Sequence, residues 1–529
     1  MLEAVVLGLV FFGPLAFGCV EPWSLAILQV ALFSLPFLAA RKDGRPAPRV
    51  LLASVGVLLA VGAAQALNPA SPDAPLPLLP FTASPWRTKA ALLLWASYAA
   101  LLWAAFRAFT GERAGRRFAW ALTCAGLTIS LVGLVQNAHG NAFVLGFRPV
   151  PYGRSPFGPY YNNAHAASLL AVTALMGFGL LGSQVARSVR VEDRANAVAR
   201  HILLAFIIGL ILLGLYDTHN RGSLLAFGGA AVTMGLLACG FLKSPTGRWG
   251  ARAGILLLFL GAGGAAVRWG LLKRGAAVSV PVRLSMYKGG LSALADSPVW
   301  GTGLGTVIAM FEPYKEPVVV GVVDHVHNDW LELPMQAGVP AAALAFAALA
   351  VFGLRVYRAW MREHSRERRC LIGGGIAAAL CFLIHALVEF TWQIPANAVI
   401  FLLILSWLWG QTEMRTSAGV VAPPRSRAAV AVASVVLALL ALRPAVAWDL
   451  ARRGRFDAAF AWDANPEYLR RASIQHFKAG RHEPALAAAG AGLELEPLNP
   501  SLRELHSQLL AQIPPATPGR QKLYNSQRK

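Results

Sequence analysis

Long apolar runs recur from one end of this sequence to the other. Many are about 17–22 residues long, and a helix of about 20 apolar residues crosses the hydrocarbon core of a bilayer. Hydrophobic residues make up 56% of the 529 residues and charged residues 14%, which excludes a mainly soluble enzyme, a disordered chain and a coiled coil. We therefore predict an all-α polytopic integral membrane protein with about 12–13 transmembrane helices. The thirteen candidate spans are 4–20, 23–40, 50–67, 89–106, 118–137, 163–182, 201–219, 222–241, 253–270, 331–354, 370–390, 394–410 and 428–448.

The basic residues that give the net charge of +22 are unevenly distributed between the two sides of the predicted membrane domain. The segments that join successive spans fall alternately into two groups, one on each side of the membrane. Lys and Arg near the ends of spans favour the cytoplasmic side. The first group contains 24 Lys and Arg residues and comprises 41–49, 107–117, 187–200, 243–252, 355–369 and 415–427. The second, longer group contains 10 and comprises 21–22, 68–89, 138–162, 220–221, 271–330 and 391–393. The sequence thus predicts a cytoplasmic N-terminus and an outward second group, and the charge requires no nucleic acid partner.

The sequence predicts three segments along the chain. Residues 1–448 form the membrane domain, which includes a large outward loop at 271–330. Residues 449–515 form a small helical extramembrane tail, which is expected on the outward side because an odd number of spans precedes it. Its short amphipathic helices with Ala and Gly at packing positions are typical of tetratricopeptide repeats. Because only one clear repeat is present, we expect this tail to pack on the membrane domain, and it offers a surface for a protein partner. Residues 516–529 are expected to be disordered.

One polar cluster lies in a tight outward turn at 217–223. Asn220 or Ser223 can cap the helix that follows. The free N–H groups of that helix and the guanidinium of Arg221 together suit a phosphate or pyrophosphate. The alternative is that the Arg221 side chain extends to lipid headgroups at the membrane interface.

A second polar cluster lies within the long outward loop. Residues 283–291, which begin with Arg283, predict a short amphipathic helix at the membrane surface. The glycine-rich run 301–305 resembles a phosphate-binding loop. Since no strand precedes it, a flexible or tightly turned connection is the better interpretation.

A third polar cluster, at 324–333, opens the next span. His325 and His327 lie at the mouth of this span, and a His there is a candidate general base because the pKa of His lies near neutral pH. Asn328 or Asp329 can cap the following helix, with Glu332 supporting the cap. Zinc would need further ligands that the sequence does not offer, so we predict no metal and no cofactor. A purely interfacial capping cluster is the alternative.

A fourth feature lies near the outward end of the span 370–390. His385 and Glu389 are four residues apart, so we expect them to share one helix face. They would either line a site or form a buried pair whose polar groups are hydrogen-bonded within the protein.

Together these residues resemble the O-antigen ligase and polymerase superfamily of bacterial envelope membrane proteins. The resemblance covers roughly residues 1–410, and Asn220 departs mildly from it because Ser or Ala is more usual there. It rests on Phe17 to Trp23, on Asn220-Arg221-Gly222, on Arg283 with the run 301–305, on His325 to Leu331 and on His385 to Asn397.

The resemblance implies a metal-independent, inverting membrane glycosyltransferase of the bacterial inner membrane with its active site on the periplasmic side. The donor would be a glycan on undecaprenyl pyrophosphate, and the acceptor a hydroxyl of lipid A-core for a ligase or of another lipid-linked glycan for a polymerase. Arg221 and Arg283 would bind the pyrophosphate. His327 would act on the acceptor hydroxyl, with His325 as a second catalytic candidate. Membrane lipids are the remaining expected partners.

Two other classes of function remain open from the sequence. A lipid-linked glycan flippase or other transporter would need polar groups along a path through the membrane, and the spans contain few. A membrane-anchored scaffold would present the tail 449–515 and would make both arginines dispensable. Ligase and polymerase share every motif described above, so the sequence leaves that choice open too.

Overall fold

The computed structural model describes residues 1–39, 47–69, 79–109, 111–140, 143–150, 155–188, 194–242, 244–268, 276–412, 424–497 and 499–512. Within these ranges the chain is almost entirely helical, and the only sheet pairs Phe143–Val144 with Arg148–Pro149. The α-helices up to the end of the last apolar segment are α1 (Leu2–Leu15), α2 (Pro22–Ala39), α3 (Arg49–Ala66), α4 (Pro85–Ala104), α5 (Glu112–Ala138), α6 (Asn163–Ser188), α7 (Arg194–Asp217), α8 (Arg221–Ala238), α9 (Pro245–Arg268), α10 (Ala276–Asp296), α11 (Val307–Met310), α12 (Asp329–Ala337), α13 (Val339–Met361), α14 (Arg366–His385), α15 (Pro395–Thr412) and α16 (Pro424–Arg452). Four short helices follow: α17 (Phe456–Trp462), α18 (Pro466–Lys478), α19 (His482–Leu495) and α20 (Pro500–Gln512).

Eleven helices of the described residues are long and apolar enough to cross a membrane. They are α2 to α8 and α13 to α16. This finding confirms the predicted all-α polytopic membrane protein, with two fewer such helices than candidate spans. The two candidates without a counterpart among the eleven are 4–20 and 253–270. Helix α9 covers most of 253–270, and the last two residues of that span lie outside the described residues.

The predicted first span, 4–20, is wrong in its second half. Helix α1 has 14 residues, which correspond to about 21 Å, whereas the hydrocarbon core is about 30 Å thick. After Leu15 the chain turns through Phe17–Cys19, where three successive residues have positive φ angles. A left-handed backbone cannot continue a right-handed helix, so the apolar sequence runs on while the helix ends.

The predicted span 331–354 is wrong as one helix, because α12 and α13 are separate helices that meet at Gly338. This glycine has a φ of 81°, and a Cβ atom there would lie 1.9 Å from the carbonyl oxygen of Val299. Only glycine fits a left-handed position so close to another backbone segment. The break leaves α12 as a short helix that belongs to the polar loop rather than to the span.

Helices α6, α14 and α15 form the interior of the helix bundle, and most of α6 and α15 is buried. Helices α6 and α14 approach closely at two glycines, because a Cβ atom on Gly179 would lie 2.6 Å from Cα of Gly374. Small residues allow such close packing of membrane helices. The close packing of α6 on α14 fixes the path of α14, which ends at His385 among the polar residues described next.

The tail packs on the membrane domain through buried polar contacts. Glu496 is fully buried and accepts hydrogen bonds from Ser84 Oγ at 2.7 Å and Arg87 Nε at 2.6 Å, at the start of α4. Trp86 Nε1 also donates to Asp463 Oδ1 at 2.5 Å. These contacts agree with the expected packing of the tail, whereas its tetratricopeptide character stays a prediction. Residues 516–529 lie outside the described residues.

Candidate active site

Glu389 connects two of the residues that the sequence singles out. Its Oε1 accepts a hydrogen bond from Nη2 of Arg283 in α10, and its Oε2 lies 3.0 Å from Nδ1 of His327 in the loop before α12. The Glu389 side chain is 2% exposed, whereas Arg283 is 30% and His327 22% exposed. One buried carboxylate therefore holds a guanidinium and an imidazole whose outer sides remain accessible.

Glu389 is ionised in this setting. Burial by itself opposes ionisation of this carboxyl, but the hydrogen bond and charge of His327 and the charges of Arg283 and His385 outweigh burial and lower the pKa of Glu389 to about 2. An ionised carboxylate can only accept hydrogen bonds. The proton in the contact with His327 therefore lies on Nδ1 of the imidazole.

This proton assignment decides what His327 can do chemically. A neutral imidazole with its proton on Nδ1 has a free electron pair on Nε2. Among the described residues, Nε2 of His327 forms no hydrogen bond. The geometry thus leaves Nε2 as a proton acceptor on the accessible side of the ring, with a carboxylate behind it to stabilise an imidazolium.

The backbone of His327 adopts a conformation that side-chain-bearing residues rarely adopt. Its φ is 54°, in the left-handed region, which costs of order 1–3 kcal/mol for a residue with a side chain. Tyr287 OH donates a hydrogen bond to the carbonyl oxygen of His327 at 2.9 Å. Since Tyr287 lies one turn after Arg283 on α10, this one helix positions both Arg283 and the backbone of His327.

His325 has a carboxylate partner of its own. Its Nδ1 lies 2.8 Å from Oε1 of Glu332, a fully buried residue of α12. The other oxygen of Glu332 accepts from the N–H of Val326 at 3.1 Å. The prediction that Glu332 supports the cap at Asn328 is wrong, because Glu332 reaches the loop before it. Asn328 itself caps α12 as predicted and accepts from the N–H of Leu331 at 3.1 Å.

Phe390 packs against three histidine rings. His325 stacks on it with centroids 4.4 Å apart, and His327 meets it edge-on at 4.8 Å. His165, in the first turn of α6, meets it edge-on at 4.8 Å as well. Edge-on and offset-stacked contacts between rings are the favoured arrangements. Phe390 therefore fixes the planes of both candidate catalytic histidines, and no sequence pattern indicated this role.

Arg221 lies at the same end of the bundle, as the first residue of α8. Asn220 caps this helix as predicted, since its side chain accepts from the N–H of Ser223 at 2.8 Å. Ser223 Oγ lies 3.1 Å from Nε2 of His385, and a Cβ atom on Gly222 would lie 3.1 Å from Val388. The start of α8 therefore packs directly on the turn that carries Glu389.

The glycine-rich run at 301–305 is a tight connection, as predicted, and its N–H groups are already bonded. Gly301, Gly303 and Gly305 all have positive φ angles. The N–H of Gly303 donates to the carbonyl of Gln336, and those of Leu304 and Gly305 donate to side chains of α3 and α12. These donors face other parts of the protein, so this run does not form a phosphate cradle.

Two predictions about local structure are wrong near the site. Residues 283–291 belong to α10, which has 21 residues and is not a short helix. Helix α14 ends at His385, so His385 and Glu389 do not share a helix face. Glu389 instead lies in the turn after α14, where it reaches both Arg283 and His327. The sequence indicated the importance of Glu389 only through its spacing from His385 and could not identify its partners.

Within the described residues, no group of three or more His, Cys, Asp or Glu side chains is arranged to hold a metal ion. Each site histidine instead pairs with one carboxylate. The positive charge of the site therefore comes from its arginine side chains and from any histidine that carries a second proton.

The fold and the site define the class of protein: a multi-span membrane protein with a cluster of Arg, His and Glu at one end of its helix bundle. Residues 204–346 match the O-antigen ligase family. Over these residues the match confirms the resemblance to O-antigen ligases and supports a membrane glycosyltransferase of O-antigen ligase type. The matched range contains all four predicted site residues, whereas Glu389 lies beyond it. No curated protein matches the chain.

Proposed function

We propose that this protein transfers an oligo- or polysaccharide from undecaprenyl pyrophosphate to an acceptor hydroxyl on the periplasmic face of the bacterial inner membrane. The acceptor is lipid A-core or another lipid-linked glycan. One observation carries the proposal: the two oxygens of the buried, ionised Glu389 hold Arg283 and His327, which are both partly exposed. This arrangement places a group that binds phosphate oxygens beside a group that accepts a proton.

The donor pyrophosphate binds to the arginines. Arg283 uses Nη2 for Glu389, and its Nε and Nη1 form no hydrogen bond with the described residues, so these two donors can bind phosphate oxygens. Arg221 adds a second positive charge at the N-terminus of α8, where the helix dipole also favours an anion. Both groups stabilise the charge that grows on the pyrophosphate as it leaves.

The acceptor hydroxyl is activated by His327. Its oxygen attacks the anomeric carbon on the side opposite the pyrophosphate, and its proton passes to Nε2 of His327. The bond between the anomeric carbon and the pyrophosphate oxygen breaks, and the electron pair leaves with the pyrophosphate. The product therefore has inverted configuration. Glu389 stabilises the imidazolium that forms, and no metal ion is needed in this scheme.

The test is a transfer assay with the full-length protein in nanodiscs, a lipid-pyrophosphate glycan donor, and each acceptor class in a separate reaction. Arg221→Ala and Arg283→Ala should each lower transfer by roughly 10²–10³-fold, the usual effect of removing one group that stabilises developing charge. Activity should persist in EDTA. The acceptor that reacts distinguishes a ligase from a polymerase.

Lys288→Ala is the matched control, because Lys288 lies on α10 one turn from Arg283 and is 75% exposed. It removes a positive charge from the same helix and should leave transfer unchanged. Near-normal transfer by both arginine variants would remove pyrophosphate binding from the proposal. Loss of activity in EDTA that zinc restores would overturn the metal-free mechanism.

A further inference from the structure

A second cluster of arginines surrounds a cavity at the end of the bundle that lies opposite the candidate active site. The cavity measures about 590 Å³ and is formed by the first turns of α5, α7 and α14 and the last turns of α6. Its charged lining includes Arg113, Arg117, Arg187 and Arg200, and its apolar lining includes Trp120 and Leu180. We name this part of the molecule the arginine end, and the part with Arg221, Arg283 and His327 the site end.

The length of α7 separates the two ends. It begins at Arg194, near the cavity, and ends at Asp217, directly before the turn that leads to Arg221. A helix of 24 residues is about 36 Å long, which is comparable to the thickness of a bilayer. Helix α14 also runs from the cavity to the site end. A ligand in the cavity therefore cannot touch the candidate catalytic residues.

Among the described residues, three of the five arginines that line the cavity have no carboxylate partner. Arg117 forms two hydrogen bonds with Glu3, and Arg116 pairs with Glu367. In contrast, Arg113, Arg187 and Arg200 form no ion pair or hydrogen bond with the described residues. Three arginines from three different helices thus surround one cavity, and each can offer its full set of donors to an anion.

The surroundings of the cavity favour a lipid over a soluble anion. Exposed apolar side chains lie at the same level of α6 and α7, two residues along the chain from the arginines and therefore on other faces of these helices, namely Val185, Val198 and Ile202. Side chains of this kind at the end of a membrane-spanning helix contact acyl chains. Basic pockets between membrane helices suit the phosphate of anionic lipid headgroups.

We propose that the arginine end binds the phosphate-containing headgroup of an anionic phospholipid, with the acyl chains against α6 and α7. This site is separate from the proposed donor site and holds a lipid that is not a substrate. The bound headgroup bridges α5, α6 and α7 at the point where their positive charges would otherwise repel each other.

The test is native mass spectrometry of the full-length protein in detergent, titrated with phosphatidylglycerol or with phosphatidylcholine of the same acyl chains. We expect the anionic lipid to bind more tightly. Since each basic residue contributes roughly a fivefold gain near an anionic surface, Arg187→Gln with Arg200→Gln should weaken phosphatidylglycerol binding roughly 20- to 30-fold. Both side chains are exposed and have no hydrogen bond or ion pair with the part of the chain that the structure describes, so the substitution removes no such contact there. Arg187→Lys with Arg200→Lys should retain most of the binding.

Arg248→Gln with Arg252→Gln is the matched control. Both residues lie in the first turns of α9, at the same end of the bundle and outside the cavity. This pair should leave lipid binding unchanged. An equal loss of phosphatidylglycerol binding in the two double variants would show attraction to general surface charge and overturn the proposal. Equal binding of phosphatidylglycerol and phosphatidylcholine would overturn it as well. Displacement of phosphatidylglycerol by millimolar inorganic phosphate would assign the cavity to a soluble anion and overturn it as well.

Discussion

The two ends of the helix bundle are both rich in positive side chains, but they hold them differently. At the site end, Arg283 and His327 share the buried carboxylate of Glu389, and His325 has Glu332. At the arginine end, Arg187 and Arg200 are exposed and lack partners among the described residues. Orientation is therefore fixed at the site end, where a reaction needs it, whereas at the arginine end the amount of charge matters more. Lysine should replace arginine poorly at Arg283 and well at Arg187 and Arg200.

The prediction with the largest expected effect is that the two ends lie on opposite sides of the membrane. A reporter that is active only in the periplasm should be fully active when fused near Pro317, in the loop of the site end. The same reporter should be silent when fused near Arg366, at the arginine end, because basic joints remain in the cytoplasm. The reverse pattern would contradict the proposed periplasmic active site.

His327→Ala should produce the largest loss of activity among single substitutions at the site end. A general base contributes about 10²–10⁴-fold to a rate, so kcat for glycan transfer should fall within that range while donor binding persists. His139→Ala is the control, because His139 is an exposed histidine of another loop on the same predicted side. Full activity in His327→Ala would transfer the base role to His325.

Glu389→Gln tests whether the shared carboxylate is what distinguishes the site end. It should lower transfer on the order of 10²-fold, because Arg283 and His327 lose their common anchor. The pKa of Glu389 is lowered from 4.5 to about 2, so its carboxylate stabilises the fold by roughly 3 kcal/mol at neutral pH. This contribution is present above about pH 4.5 and is lost as the pH falls toward 2.

Thermal unfolding of the wild type and Glu389→Gln in detergent, compared between pH 7 and pH 3, measures this effect. The difference in unfolding temperature between the wild type and Glu389→Gln should be smaller at pH 3 than at pH 7. Glu316→Gln is the control, since Glu316 also binds two residues of α10 but is 36% exposed, and exposed ion pairs contribute little. An equal gap at both pH values would contradict the assigned ionisation of Glu389.

The last prediction concerns the stability of the backbone behind the site. Gly338→Ala should destabilise the protein by about 3 kcal/mol, because a Cβ atom there meets a carbonyl oxygen at a positive φ. Gly353→Ala, on α13 itself, has open space and should instead stabilise by about 0.5–1 kcal/mol. Thermal unfolding of both variants measures the difference, and equal effects would contradict a backbone constraint specific to Gly338.

The sequence predicted the features of this protein that depend on local patterns. Apolar length predicted most spans, and the side chains of Asn220 and Asn328 predicted two helix starts, because capping involves residues only three positions apart. The local polar clusters and the family resemblance together identified Arg221, Arg283, His325 and His327 as site candidates. Their roles in the reaction stay predictions.

The features that the sequence could not predict depend on contacts between distant segments. The hydrogen bond between Arg283 and Glu389 joins residues 106 positions apart, and nothing at either position specifies the other. The sequence also stays apolar through Gly338 and through Phe17–Cys19, although helices end there because the backbone has positive φ angles. Phe390 is one apolar residue among many until the fold places three histidines around it.

The docking of Glu496 on the start of α4 has a consequence for biosynthesis. Ser84 and Glu496 are 412 residues apart in the chain. At about 5–20 residues per second, the ribosome needs roughly 20–80 seconds to make the segment between them. The first turn of α4 is therefore made long before Arg87 can pair with its carboxylate, which happens only after the segment with Glu496 emerges. Docking of this segment on α4 thus follows synthesis of helices α4 to α16.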